Sequence, residues 1–143
     1  MFKNINFQFL ISYFGLIPYV LTFLDKYYFL VFEEEDLLNF VTYYSLIIIV
    51  FIGSINWNLK NNPPTHIVIY GFLPSLFAVI IIILSLLNIN ILIIFILIIL
   101  LLLTQLFFDY IILFANETNK QAFYYLRLPL TILIILFLLL ISL

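Results

Sequence analysis

Residues 67–103 form an almost unbroken apolar run, and this run constrains the fold more than any other feature. As one helix it would be ~55 Å long at about 1.5 Å per residue, whereas a helix crosses the ~30 Å hydrocarbon core with about 20 residues. The chain must therefore turn inside the run. Its concentrated polar break is Asn88-Ile89-Asn90, and asparagine is suited to tight turns. The run thus predicts two membrane-spanning helices joined by a hairpin.

Three further apolar stretches complete an all-α, polytopic membrane protein, a single domain built as a bundle of five transmembrane helices. Runs such as ILIIFILIILLLL do not alternate, as barrel strands would. Pro18 and Pro74 are expected to kink their helices, and Asn62 is expected to cap the third. The predicted spans cover residues 7–24, 37–59, 66–87, 91–114 and 125–142.

Composition excludes several classes of function. The chain is 67% hydrophobic and 8% charged, whereas a soluble globule carries roughly a quarter charged residues. A formal charge of −2 provides no basic field for nucleic acid. With no cysteine and one histidine, a zinc–thiolate or bis-histidine haem site is excluded. Since no nucleophile–base pair or glycine-rich phosphate loop is present, we predict no enzyme activity, no catalytic or metal-binding residue and no cofactor.

The basic residues predict the orientation. Five spans place Lys3, Lys60, Lys120 and Arg127 on one side and Lys26 on the other. The positive-inside rule then makes the N-terminus cytoplasmic and the C-terminus external. Because MFKNINF lacks the Arg-rich amphipathic pattern of a transit segment, a bacterial cytoplasmic (inner) membrane is favoured over the mitochondrial inner membrane. Without a first span the split would be three against two. The acidic residues 33–36 are expected to form a solvated loop.

Ionisable residues inside a bilayer are costly, so each requires a reason. Asp109 follows Gln105 by one turn, and a helical hairpin would bring Arg127 to the same half of the membrane as an ion-pair partner. Gly53 permits close helix approach, and Asn56 could hydrogen-bond across it. We expect the other half to hold no equivalent cluster. The candidate functional polar cluster is Asn56, Trp57, His66, Tyr70, Gln105, Asp109 and Arg127.

The ordered motifs YFGLIPY, GSINWN, YGFLPSL, LTQLFFDY and YYLRLPLT span nearly the whole chain. In this order and spacing they resemble domain-of-unknown-function family 3429, a transmembrane protein 69-like family. The resemblance implies a small multi-spanning membrane protein of bacteria or mitochondria without an assigned activity. The family's second-helix motif is expected to read Gly-x-x-His-Trp, whereas this chain has Asn56 before Trp57. Proton or metal chemistry at that histidine would therefore not transfer to this chain.

Three functions remain open. The first is a non-catalytic accessory or assembly protein of a larger membrane complex, which contacts the lipid bilayer and a membrane-protein partner. The second is a small homo-oligomeric transporter or pore with Asp109 on a polar path. An enzyme acting on lipid or quinone ranks third, because nothing supplies an activated nucleophile.

Overall fold

A computed structural model describes residues 10–54, 64–113 and 123–143, and every regular element in these ranges is helical. The all-α prediction is confirmed. A π-helical turn, Asp25–Phe29, follows the first helix, and a second, Phe123–Arg127, precedes the last. The helices in chain order are α1 (Ile17–Leu24), α2 (Glu34–Ser54), α3 (Thr65–Leu86), α4 (Ile91–Leu113) and α5 (Leu128–Ser142).

Four helices are long and apolar enough to cross a membrane: Glu34–Ser54, Thr65–Leu86, Ile91–Ile111 and Phe123–Ser142. They correspond to the second to fifth predicted spans. The predicted ends at residues 59 and 114, and the cap at Asn62, lie outside the described residues. One boundary differs, because α2 begins at Glu34 and its first turn carries Glu34, Glu35 and Asp36. Acidic side chains stabilise a helix N-terminus, so these residues extend the helix and only Glu33 of the acidic run precedes it.

The first predicted span is not one regular helix. Residues 10–14 are helical, a turn follows at Gly15 and Leu16, and α1 begins at Ile17. Pro18 lies in the first turn of α1, so it starts a helix here and does not kink one from within. A proline ring clashes with the carbonyl four residues earlier, which explains why the break falls between Phe14 and Pro18.

The hairpin predicted at Asn88-Ile89-Asn90 is confirmed. α3 ends at Leu86, and Asn88 adopts a left-handed φ of 56°. Asparagine tolerates this conformation better than most side chains. The Asn90 carboxamide oxygen accepts a hydrogen bond from the Leu92 N–H at 2.9 Å and so caps α4.

The chain forms two compact units. The unit Thr42–Leu102 holds the hairpin and the C-terminal part of α2. There a Cβ added to Gly53 would lie 2.7 Å from Pro74 Cγ and 3.1 Å from the Gly71 carbonyl oxygen. The predicted close helix approach at Gly53 is therefore confirmed, whereas Asn56 lies outside the described residues.

The other unit comprises Met1–Val41 and Leu103–Leu143. Within it, residues 10–29 run beside the last helix in the same direction. Here and below, the last helix is Phe123–Ser142, which comprises the second π-helical turn and α5. Tyr13 bonds to the Tyr125 carbonyl near the start of that helix, and Lys26 bonds to the Ile141 carbonyl near its end. The first segment thus accompanies the last helix along nearly its whole length.

Candidate functional site

Asp109 and Arg127 form the ion pair that the sequence predicts. The Arg127 Nε donates to Asp109 Oδ2 at 2.6 Å, and Nη2 donates to the same oxygen. Only 5% of the Asp109 side chain and 15% of the Arg127 side chain are exposed. Both charges are therefore held near the end of α4 and the start of the last helix, where each compensates the other's desolvation.

Residues close to Asp109 on α4 are buried or make an aromatic contact. Gln105 lies one turn before Asp109 on α4 and is buried. The Tyr110 ring meets the Phe123 ring edge-on, with centroids 5.6 Å apart. Tyr110 and Phe123 thus join the same two helices beside the ion pair, which makes this contact part of the packing between α4 and the last helix.

The remaining described members of the predicted cluster belong to the other unit. His66 is exposed in the first turn of α3, and Tyr70 is buried one turn later, both in the unit Thr42–Leu102. Asn56 and Trp57 lie outside the described residues. The structure therefore brings together Gln105, Asp109 and Arg127, and the seven-residue cluster as a whole stays a prediction.

Tyr13 makes a long-range hydrogen bond that the sequence analysis did not predict. Its hydroxyl donates to the Tyr125 carbonyl at 2.8 Å. Pro129 lacks the N–H that would bond this carbonyl in a regular α-helix, since the two residues are four apart. A proline in the first turns of a membrane helix leaves a carbonyl in need of a donor, and that signal could have directed attention to Tyr13.

We expect Tyr13→Phe to lower the free energy of unfolding by about 0.5–1.5 kcal/mol, because the Tyr125 carbonyl loses its donor. Denaturant titration in detergent, followed by circular dichroism, measures this loss. In a Pro129→Ala background the helix regains an N–H, so the same substitution should cost less. Equal costs in both backgrounds would show that Tyr13 acts through packing.

A second polar cluster, here called the Lys26 cluster, comprises Asp25, Lys26, Tyr27 and Glu34. Lys26 Nζ donates to the Ile141 carbonyl at 2.7 Å and lies 2.9 Å from a Glu34 carboxylate oxygen. The Tyr27 hydroxyl donates to the Leu140 carbonyl at 2.8 Å. This cluster contacts the C-terminal end of the last helix, whereas Arg127 precedes its start, and the sequence analysis did not anticipate it.

Helix capping explains why Lys26 and Tyr27 bind the end of the last helix. The last four carbonyls of a helix have no intrahelical partner, and a cation there also interacts favourably with the helix dipole. Lys26 and Tyr27 supply donors to two of these carbonyls at the end of α5. Sequence inspection missed them because the partners lie more than a hundred residues away in the chain.

Asp25 orders the loop that follows the π-helical turn carrying Lys26. Its two carboxylate oxygens accept the N–H groups of Val31 at 3.3 Å and Phe32 at 3.1 Å. The Leu30 N–H bonds to the Asp25 carbonyl at 2.8 Å, and Leu30 has a left-handed φ of 52°. Asp25 is therefore a buried structural carboxylate that caps the π-helical turn and holds residues 30–32 in place.

Replacing Lys26 by methionine is expected to destabilise the protein by about 1–2 kcal/mol, because the Ile141 carbonyl loses its charged donor. Glu34→Gln is the matched control. It removes the ion pair and leaves Lys26 to cap α5, and the 66% exposure of the Glu34 side chain limits its cost to about 0.2–1 kcal/mol. Unfolding titrations of both variants test this order, and a larger effect of Glu34→Gln would contradict it.

These two clusters consist of hydrogen bonds and ion pairs between segments that are distant in the sequence. In each, charged or hydroxyl groups from one segment neutralise or bond groups of another. Across residues 10–54, 64–113 and 123–143, no group of three or more His, Cys, Asp or Glu side chains is arranged to hold a metal ion.

Comparison with known proteins yields one family. The family model described as "Protein of unknown function (DUF3429)" matches residues 6–143. No curated protein and no solved structure matches the chain. The family match covers every described helix.

Proposed function

The chain belongs to the family of proteins of unknown function DUF3429, and we propose that it is a non-catalytic accessory or assembly protein that binds a larger membrane complex through its helix surfaces. The observation that carries this proposal is the direct, buried ion pair between Asp109 and Arg127. A charge engaged in this way serves helix packing, whereas a transport path requires a group that can exchange its partner for an ion or substrate.

The exposed surface supports the same function. In the apolar windows of the four long helices, at most 44% of the residues are buried. Ile47 and Phe51 on α2 are each 64% exposed, and Phe107 on α4 is 61% exposed. Membrane helices associate by packing such surfaces together, so most of this protein's described surface is available to lipid or to partner helices.

The proposed function can be tested by site-specific photo-crosslinking in native membranes. A photoreactive residue at exposed Ile47 or Phe51 should give an adduct with one common membrane protein. Buried Ile49, on the same helix and 0% exposed, is the matched control and should give none. The same comparison on α4 uses exposed Ile96 and buried Ile98. Adducts with lipid alone, or only with copies of this chain, would contradict the proposal and favour a homo-oligomeric transporter.

We propose five membrane spans, with the N-terminus in the cytoplasm of a bacterial cell and the C-terminus outside the inner membrane. The parallel course of residues 10–29 beside the last helix supports a membrane crossing by the first segment, which makes five spans in total. In a bundle whose successive helices alternate in direction, the first and fifth spans run the same way. The distribution of Lys3, Lys60, Lys120 and Arg127 supports the orientation.

The topology has a separate test. Tags at the two termini should be accessible to protease from opposite sides of the membrane. Since the chain contains no cysteine, single cysteines can also be introduced and labelled without a background. Tyr28→Cys is expected to react with an impermeant reagent from outside. Accessibility of both termini from one side would overturn the five-span arrangement.

A further inference from the structure

An apolar groove of about 690 Å³ lies between the first segment and the start of α2. Its volume falls within the about 300–1,000 Å³ typical of small-molecule sites. All its lining residues belong to the unit Met1–Val41 and Leu103–Leu143. They are Pro18, Leu21, Thr22, Asp25, Phe29, Phe32, Asp36, Leu37 and Phe40.

The rim of the groove is ordered. Phe32 is held by its N–H bond to the Asp25 carboxylate, and Phe29 ends the π-helical turn that Asp25 begins. The three phenylalanines that line it are largely exposed: Phe29 is 62%, Phe32 is 64% and Phe40 is 50% exposed. Because this rim is already ordered, a bound molecule does not have to order it, and this lowers the entropic cost of binding.

Charge distinguishes the two ends of the groove. Asp36 lines it in the first turn of α2, where the candidate span begins, and residues 33–36 are all acidic. The ends of membrane spans lie at the depth of lipid headgroups. Lys26, the cation of this loop, is engaged by Glu34 and the Ile141 carbonyl. Pro18 lies about 10 Å further along the first segment than Asp25, by the helical rise, so the other end reaches toward the apolar core.

An acidic group at headgroup depth above an apolar groove matches an amphiphile with a cationic head and a hydrocarbon tail. We infer that the groove binds one acyl chain of a bilayer phospholipid whose headgroup ends in a primary ammonium, with that ammonium beside Asp36. The ammonium pairs with the carboxylate, and the methylenes contact Leu21, Phe40 and the other apolar walls. This inference does not depend on the proposed membrane-protein partner.

The test is native mass spectrometry of the full chain purified in mild detergent with equal amounts of phosphatidylethanolamine and phosphatidylglycerol. The wild type should retain one phosphatidylethanolamine in about fivefold preference, the size of one partly exposed ion pair. Asp36→Asn should abolish the preference. Glu35→Gln is the matched control, because it removes the same charge from the same helical turn but does not line the groove. Leu21→Trp, which fills the groove, should reduce retention of both lipids.

Three results would overturn the inference. Equal retention of the two lipids by the wild type would show that the groove does not distinguish their headgroups. Equal losses in Asp36→Asn and Glu35→Gln would assign any preference to the general negative charge of residues 33–36. A photo-crosslink to a protein from Leu21, which lines the groove from the first segment, would identify the groove as a docking site for a helix. Circular dichroism of each variant, with unchanged helix content expected, separates these results from misfolding.

Discussion

Replacing Arg127 by leucine is expected to lower the free energy of unfolding by about 3–5 kcal/mol, because the buried Asp109 carboxylate loses the cation that compensates its charge. The Asp109 side chain is 5% exposed, and the Arg127 Nε and Nη2 groups both donate to its Oδ2. SDS titration of the purified protein, monitored by circular dichroism, measures the loss. Asp109→Leu should have a comparable effect, since it strands the guanidinium.

The double variant Asp109→Leu/Arg127→Leu provides the control. When both charges are removed, neither is left buried without the other, and the stability should return to within about 1 kcal/mol of the wild type. A double variant as unstable as either single variant would show that the two residues do not act as a structural pair. Such a result would remove the main support for the proposed function.

Gly53→Ala is expected to destabilise the unit Thr42–Leu102 by about 1–3 kcal/mol. The added Cβ would lie 2.7 Å from Pro74 Cγ and 3.1 Å from the Gly71 carbonyl oxygen, so α2 and α3 would have to separate. The Pro74 ring is buried and rigid and cannot move aside as a flexible side chain would. The free energy of unfolding, measured by the same titration, reports the cost.

Two variants separate steric crowding from helix propensity. Ser54→Ala changes the neighbouring, exposed position and should have little effect, although it loses a hydrogen bond to the Phe51 carbonyl. Pro74→Ala removes the Cγ atom that the new methyl group would meet. In that background Gly53→Ala should cost less, with a coupling of about 0.5–3 kcal/mol. Additive effects of the two substitutions would contradict the close contact.

Local sequence was sufficient for much of this fold. The second to fifth helices followed from apolar runs of membrane-spanning length, and the hairpin followed from Asn88 and Asn90, which supply a left-handed residue and a helix cap. The Asp109–Arg127 pair could be predicted because a short connection joins the helices that carry them, and each charge required a partner.

Other features depend on contacts that local sequence does not encode. Lys26 and Tyr27 cap the last helix from more than a hundred residues away, so nothing near them in the sequence marks their role. The break at Gly15 and Leu16 depends on where Pro18 falls within the helix, and a hydropathy pattern does not detect it. The early start of α2 reflects the stability of acidic residues at a helix N-terminus, which outweighed their apparent preference for a loop.

We propose that Asp109 and Arg127 stabilise the bundle while the function resides on its outer helix surfaces. The most direct test is affinity purification of the wild type and of Asp109→Leu/Arg127→Leu from native membranes in mild detergent, with mass spectrometry of bound proteins. We predict that both retain the same membrane-protein partner in the same stoichiometry. A partner-free homo-oligomer would contradict the proposal and favour a transporter. A folded double variant that has lost the partner would place the function at the ion pair itself.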